Sequence, residues 1–390
     1  MWLGSLVSNV GTWMETVALG RYVAETTGKA VWTGILAAAG FLPTAIVGLI
    51  GGALADRASR KRMMIVGSLA QAAIAAVVTA LVAAERATPT GLSLLALASG
   101  CAGAISFPAF QSAIPDLVGP EDLPAAIGLG SVQWNLGRVL GPVLAGLAIS
   151  LGSIGTALAI NTASFFAVVI AVAPVAIPQR PPSANRPPVL RTIADGWRIV
   201  RTEPGLRVMN AAMCVNTLVA APFIALIPAM VEKVLHAGRS ANSVLVTAQG
   251  IGAVVAGLAI GPLVIRFGVR RVMVGAMAAT ALALVAYGAA PGLVLMAPAL
   301  AVVGGSYMTS LSSFSTVGQT RAPAEYRGRV MAINNAVLGL LYPVGAVAQG
   351  ALGDRIGLRT VTIGSGIVLG GVLAVVAVVR PHAARALDDR

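Results

Sequence analysis

The chain has 390 residues, 57% hydrophobic and 11% charged, with a mean hydropathy of +0.86 and a formal net charge of +13. A soluble domain of this length has no core large enough for that much apolar side chain, and the apolar runs are too long and too even for the alternating strands of a barrel. Lipid offers backbone groups no partners, so each run must cross as a helix.

Runs of about 20 residues, enough to cross roughly 30 Å of hydrocarbon, predict twelve spans: 2–25, 31–55, 62–84, 91–114, 124–150, 153–177, 206–231, 240–265, 272–290, 292–318, 329–352 and 360–379. The first carries no basic leader or cleavage site and reads as a spanning helix and not as a signal peptide. It holds Glu15, the one acid placed well inside a span, with Arg21 and Glu25 nearer its far end. Between spans two and three lies Gly52-Ala-Leu-Ala-Asp56-Arg57-Ala-Ser-Arg60-Lys61-Arg62. Span five carries Arg138, the one base inside a span, and the series Gly128, Gly137, Gly141-Pro142 and Gly146. Small residues four apart share a helix face and admit a close neighbour; Pro142 frees a carbonyl and favours a bend. Cys101 and Cys214 fall inside apolar runs and form no disulfide or metal framework.

Residues 178–205 form the longest polar stretch, rich in proline, and separate an N-terminal bundle (1–177) from a C-terminal one (206–380), which is followed by a tail (381–390). Within that stretch Leu190, Ile193, Trp197 and Val200 fall on one helical stripe, which predicts an interfacial helix; a plain solvated linker is the alternative. In the second half the motif of span two returns 209 residues later as Gly261-Pro-Leu-Val-Ile265-Arg266-Phe-Gly-Val-Arg270-Arg271, with isoleucine in place of Asp56. Gln111 and Pro115 match Gln319 and Pro323 at an offset of 208. The chain is therefore two related but unequal halves. Loops 56–62, 115–123, 178–205, 266–271 and 319–329, with Arg207 and the tail from Arg380, hold 19 of the 27 Lys and Arg; the opposite loops hold seven. Basic residues stay on the cytoplasmic side, so both termini are expected there, and the positive charge reads as topology and not as a nucleic-acid surface.

Twelve spans, a six-plus-six repeat, a long central loop and the Gly52–Arg62 motif together resemble the major facilitator superfamily: an all-α integral membrane fold of two pseudo-symmetric six-helix bundles. The resemblance covers essentially the whole chain. Ser8-Asn-Val-Gly-Thr-Trp-Met-Glu-Thr-Val-Ala-Leu, Ile114-Pro-Asp-Leu-Val, Asn135-Leu-Gly-Arg-Val-Leu-Gly-Pro and Arg327-Gly-Arg-Val-Met are similar to the bacterial exporter group that includes the enterobactin exporter and macrolide efflux proteins. The chain departs from that group in starting without the usual cytoplasmic tail, as an internal start at Met1 would produce. The resemblance implies that Gly52, Asp56, Arg57, Arg60 and Lys61 form a conformational latch against span eleven. Ser59 stands where the family has glycine. It also implies that Gly128, Gly137, Gly141, Pro142 and Gly146 form the antiporter motif, with Ala145 replacing one glycine. For the latch, topology alone is the competing reading of the arginines. For the antiporter series it is generic helix packing.

Counting about 1.5 Å per residue places Glu15 and Arg138 at equal depth, so an ion pair between them is expected. It is either a proton carrier tuned by Arg138 or a static strut. In this fold spans one, four, seven and ten, helped by two, five, eight and eleven, line the cavity. Their polar and aromatic residues are Asn9, Trp13, Gln111, Gln133, Asn216, Gln249, Tyr307, Ser310, Asn334 and Tyr342. Their neutrality fits a small amphipathic substrate held by apolar walls and a few hydrogen bonds. The competing reading of each residue is helix packing.

An enzyme is disfavoured. His236 and His382 have no ligand spacing around them, and no nucleophile elbow, dinucleotide fingerprint or phosphate-binding loop occurs. A channel lacks a filter-like loop or charge ring. A lipid-translocating member of the same superfamily is the closer rival. The expectation is proton-coupled efflux from the bacterial inner membrane by a monomer, with no cofactor, metal, catalytic residue or nucleic acid.

Overall fold

In the computed structural model, residues 1–55, 58–119, 121–178, 189–236 and 240–379 are described, and among them every regular element is helical. The first half runs α1 (Trp2–Thr27), α2 (Ala30–Ala55), α3 (Arg60–Ala83), α4 (Pro89–Leu117), α5 (Leu123–Leu151) and α6 (Ile154–Val172). A short α7 (Val189–Thr202) follows. The second half runs α8 (Pro204–Val215), α9 (Phe223–Met230), α10 (Ser240–Phe267), α11 (Val269–Ala289), α12 (Leu293–Arg321), α13 (Arg327–Ile356) and α14 (Leu358–Val379). Among the described residues, eleven helical stretches are long and apolar enough to cross a membrane. With its glutamates and arginine, α1 is less apolar, but at 26 residues it is as long as α2.

The helix ends follow from local chemistry. Gly28, at φ 59°, closes α1 in a left-handed turn that a side chain resists. Thr88 accepts a hydrogen bond from the Gly91 N–H ahead of Pro89, and Ser153 and Thr156 form a reciprocal capping box at the start of α6. Glu203 accepts from the Leu206 N–H to start α8. Span six ends at Val172, short of the expected 177, and span four continues through Pro115 to Leu117.

Span seven departs most from a uniform helix. It is α8, a π-helical turn (Asn216–Ala220), α9 and a second π-helical turn (Val231–Leu235). A π turn shifts hydrogen-bond register and leaves carbonyls underused. Gln349 of α13 donates to two of them, Leu218 O at 3.3 Å and Val219 O at 2.8 Å.

The chain divides into two compact units. One takes Met1–Gly28, Ile35–Arg186 and Ala237–Thr247; the other takes Lys29–Gly34, Pro187–His236 and Ala248–Arg390. In the first, α1 packs on α5 and α6, and α3 packs on α4 and α6; Met63, Met64, Ala109, Ala113, Val168 and Val172 form a core shared by α3, α4 and α6. In the second, α11 packs on α12 and α14. Lipid is as apolar as leucine, so these helices associate through close packing and hydrogen bonds rather than through apolar burial. A Cβ on Gly252 would overlap Ala301 O, and one on Gly304 would overlap Gln249 O, so α10 and α12 touch backbone to backbone. Large apolar side chains such as Leu258 and Leu282 are exposed, which a hydrocarbon surrounding tolerates.

The stretch expected as an interfacial helix is helical. Asp195 of α7 accepts from Arg329 at 3.0 Å, Val200 is buried, Gly196 lies against the Arg329 and Ile333 side chains, and Arg201 stacks over Trp197.

Candidate functional site

In the first unit, polar groups gather where α1 meets α5 and α6. Gly137 and Gly141 make this meeting possible: a Cβ on Gly137 would press into the Asn9 amide, and one on Gly141 into Trp13. Asn9 donates to Gln133 O at 2.9 Å. Trp13 stands edge-on to Trp134, ring centroids 6.2 Å apart, and the Arg138 guanidinium lies 5.6 Å from the Trp13 ring centre. Arg138 and Pro142 are buried. Glu15 accepts a hydrogen bond from the Asn161 amide of α6, which also neighbours Ser164. The structure thus brings Asn9, Trp13, Gln133, Gly137, Arg138 and Gly141 together, and gives Glu15 a neutral amide as its hydrogen-bond partner. Gly146 lies instead against Ser243, and Gln111 is exposed on α4.

The second unit buries a set of uncharged polar side chains. Asn216, Thr217 and Gln249 are fully or almost fully buried; both Asn216 amide atoms, the Thr217 hydroxyl and the Gln249 NH₂ lack a protein hydrogen-bond partner. Asn334 accepts from Asn210 at 3.5 Å, while its own NH₂ has none. Such atoms are costly to bury unmatched, and they are the groups a ligand or water would satisfy. Tyr307 is buried edge-on to Phe223 at 5.8 Å, Ser310 donates to its own helix at Ser306 O, and Tyr342 is buried.

Around the motif between α2 and α3, Asp56 and Arg57 lie outside the described residues. Arg60 pairs with Asp116 at the end of α4 and donates to Ser112 O, and Lys61 donates to Ala173 O at the end of α6. Gly52 sits in the last turn of α2, and Gly128 near the start of α5. Among the described residues no three His, Cys, Asp or Glu side chains gather as a metal site.

The sequence reading passed over Asn161, Asp116 and Asp354. Asp354, in the last turn of α13, accepts from the Ala30 and Val31 N–H groups at 2.8 and 2.9 Å and pairs with Lys233 at 2.6 Å. Its signal was present in the chain: Gly350-Ala-Leu-Gly-Asp354-Arg355 repeats much of Gly52-Ala-Leu-Ala-Asp56-Arg57.

A family profile described as transmembrane secretion effector matches residues 1–389. The chain belongs to this family of the major facilitator superfamily. It is a multi-pass transporter and not an enzyme. Similar curated proteins include macrolide efflux protein A of Streptococcus pyogenes, 26% identical over 92% of this chain and 90% of that protein. Another is the multidrug efflux pump Tap of Mycolicibacterium fortuitum, 27% identical over 95% and 93%. Among solved structures, a bacterial homologue of the human lysosomal transporter Spinster superposes with a TM-score of 0.77 at 14% identity, over all of this chain and 96% of that one. The nucleoside transporter NupG superposes with a TM-score of 0.70 at 17% identity, over all of this chain and 98% of that one. At such identities these two structures speak for the fold alone.

Proposed function

We propose that this transporter exports a small amphipathic compound by alternating access, drawing on the proton gradient. The reading places it as a monomer in a bacterial inner membrane, both termini in the cytoplasm, with residues 1–177 and 206–380 as the two rocking halves. The reading is carried by two features taken together: an acid well inside α1, Glu15, held by the neutral Asn161 amide, and buried, unmatched neutral amides at Asn216 and Gln249. An acid within a spanning helix is the default place to look for a proton relay. Neutral amides among apolar walls suit an uncharged or weakly charged ligand. The two efflux proteins, similar over nine-tenths of each chain, favour outward transport of a drug-like compound. In this reading Gly52, Asp56, Arg57, Arg60 and Lys61 latch the cytoplasmic face.

The test is a substrate screen in an efflux-deficient host, followed by flux in proteoliposomes with and without a proton gradient. Asp56→Asn is expected to insert normally and to lose at least tenfold in turnover. Glu15→Gln is expected to keep substrate binding and lose gradient-driven accumulation. Accumulation by Glu15→Gln equal to the parent sinks the proton-carrier role. Flux of labelled lysophospholipid in place of dyes replaces the drug reading with a lipid one.

A further inference from the structure

The α2–α3 motif has a second relative besides the one 209 residues on. At an offset of 298, Gly350-Ala-Leu-Gly-Asp354-Arg355-Ile-Gly-Leu-Arg359 keeps the glycine, alanine, leucine, aspartate and first arginine of Gly52–Lys61, and ends on arginine where the other ends on lysine. The match extends to structure. Each stretch closes a long helix, α2 or α13, and opens the next, α3 or α14. The final basic residue does the same work in both. Lys61 donates to Ala173 O, at the end of α6, while Arg359 donates to Gly288 O and Ala290 O, 3.1 and 2.7 Å away, at the end of α11. A cation is the favoured group at a helix C-terminus.

Asp354 faces the opposite electrostatics. As an anion in the last turn of its own helix it opposes the macrodipole. It is compensated by three donors: the N–H groups of Ala30 and Val31, which have no partner inside α2 because they open it, and the Lys233 ammonium. The approach is close because the residues are small. A Cβ on Gly350 would lie 2.8 Å from Ala30 O and 2.9 Å from the Val31 Cα, and one on Gly34 would overlap Ala346 O. These contacts all lie in the second compact unit, which takes Lys29–Gly34; from Ile35 onward α2 belongs to the first. α2 has 26 residues, about 39 Å of helix, so Asp354 meets it at the membrane face opposite the Gly52–Arg62 motif.

We propose that Gly350–Arg359 is a second latch, in which the Asp354 carboxylate clasps the first turn of α2 and must let go when the transporter opens at that face. The proposal rests on the alternating-access reading above, and on the proposed orientation this face is extracytoplasmic. Any motion that carries α2 away from α13 here breaks two amide–carboxylate bonds and an ion pair. The two versions of one motif then hold the two ends of one helix.

The test is a distance measurement that needs no substrate. Cys101 and Cys214 are replaced by serine, spin labels are attached at the exposed positions Thr26 and Ile356, and electron–electron distances are measured in lipid nanodiscs. Asp354→Asn is expected to raise the ratio of long to short distances about tenfold, as expected when a charge-assisted contact weakens. Lys233→Gln should raise it about threefold, and Asp354→Glu should stay nearer the parent. If Asp354→Asn does not fold, Lys233→Gln carries the test. Parental distances in the folded variants overturn the latch. Opening by these variants in a protein that exports nothing keeps the latch and removes the export reading; normal export with unchanged distances does the reverse.

Discussion

The ends of α4 and α12 occupy the same place in the two halves, as the matches of Gln111 with Gln319 and Pro115 with Pro323 indicate. Both bury a charge there, with opposite signs. At the end of α4 it is Asp116, 4% exposed, reached by Arg60 from the start of α3. At the end of α12 it is Arg321, 9% exposed, which reaches Glu203 at the cap of α8 at 3.1 Å. A helix C-terminus favours a cation and opposes an anion. Arg321 is therefore supported by its own helix, and Asp116 depends on its partner. Each half thus carries a buried ion pair at the end of this helix, of opposite sign and with a partner from a different element, though at the 208 offset Arg321 falls opposite Ala113 and not Asp116.

Breaking the two pairs is the sharpest way to test that difference. Asp116→Ala leaves the Arg60 guanidinium its bond to Ser112 O but no counter-ion, and is expected to cost about 3–5 kcal/mol of stability. Arg321→Ala is expected to cost about 1–3 kcal/mol, because Glu203 stays partly wet and keeps its bond to the Leu206 N–H. Unfolding of the purified variants in detergent reads both, and equal losses would break the comparison. A smaller effect concerns Glu15 in the first half. Asn161→Ala removes the donor to Glu15 and should cost about 1–3 kcal/mol; adding Glu15→Gln should recover part of it, since a neutral amide is cheaper to bury. The absence of any recovery would show that the Asn161 side chain acts through packing alone. The smallest effect belongs to the uncharged amides of the second half. Asn216→Leu deletes an unmatched amide, so the melting temperature should hold or rise slightly while flux falls. Lost stability with intact flux would make Asn216 a structural residue.

Much of the fold was legible because hydropathy reports burial in lipid directly. Span positions and the amphipathic α7 followed from apolar runs and helical spacing. Span seven was not legible as built, because its two π-helical turns alter hydrogen-bond register without altering composition, and their satisfaction by Gln349 is a tertiary contact. In the candidate site, Gly137 and Gly141 could be read as a contact face but not matched to Asn9 and Trp13. Counting residues gives the depth of Glu15 but not its azimuth, so its neighbour Asn161 on α6 stayed hidden. Asp354 was missed for a different reason: a repeat sought at half the chain length does not find a copy 298 residues away.

The bond between Asp354 and α2 ends on peptide groups and not on side chains. Every residue except proline supplies the same N–H, so positions 30 and 31 are free to drift while the carboxylate stays. Paired substitutions, the usual trace of a contact in an alignment of relatives, should be faint here. The expected imprint is one-sided: an aspartate retained at position 354 and proline excluded at positions 30 and 31.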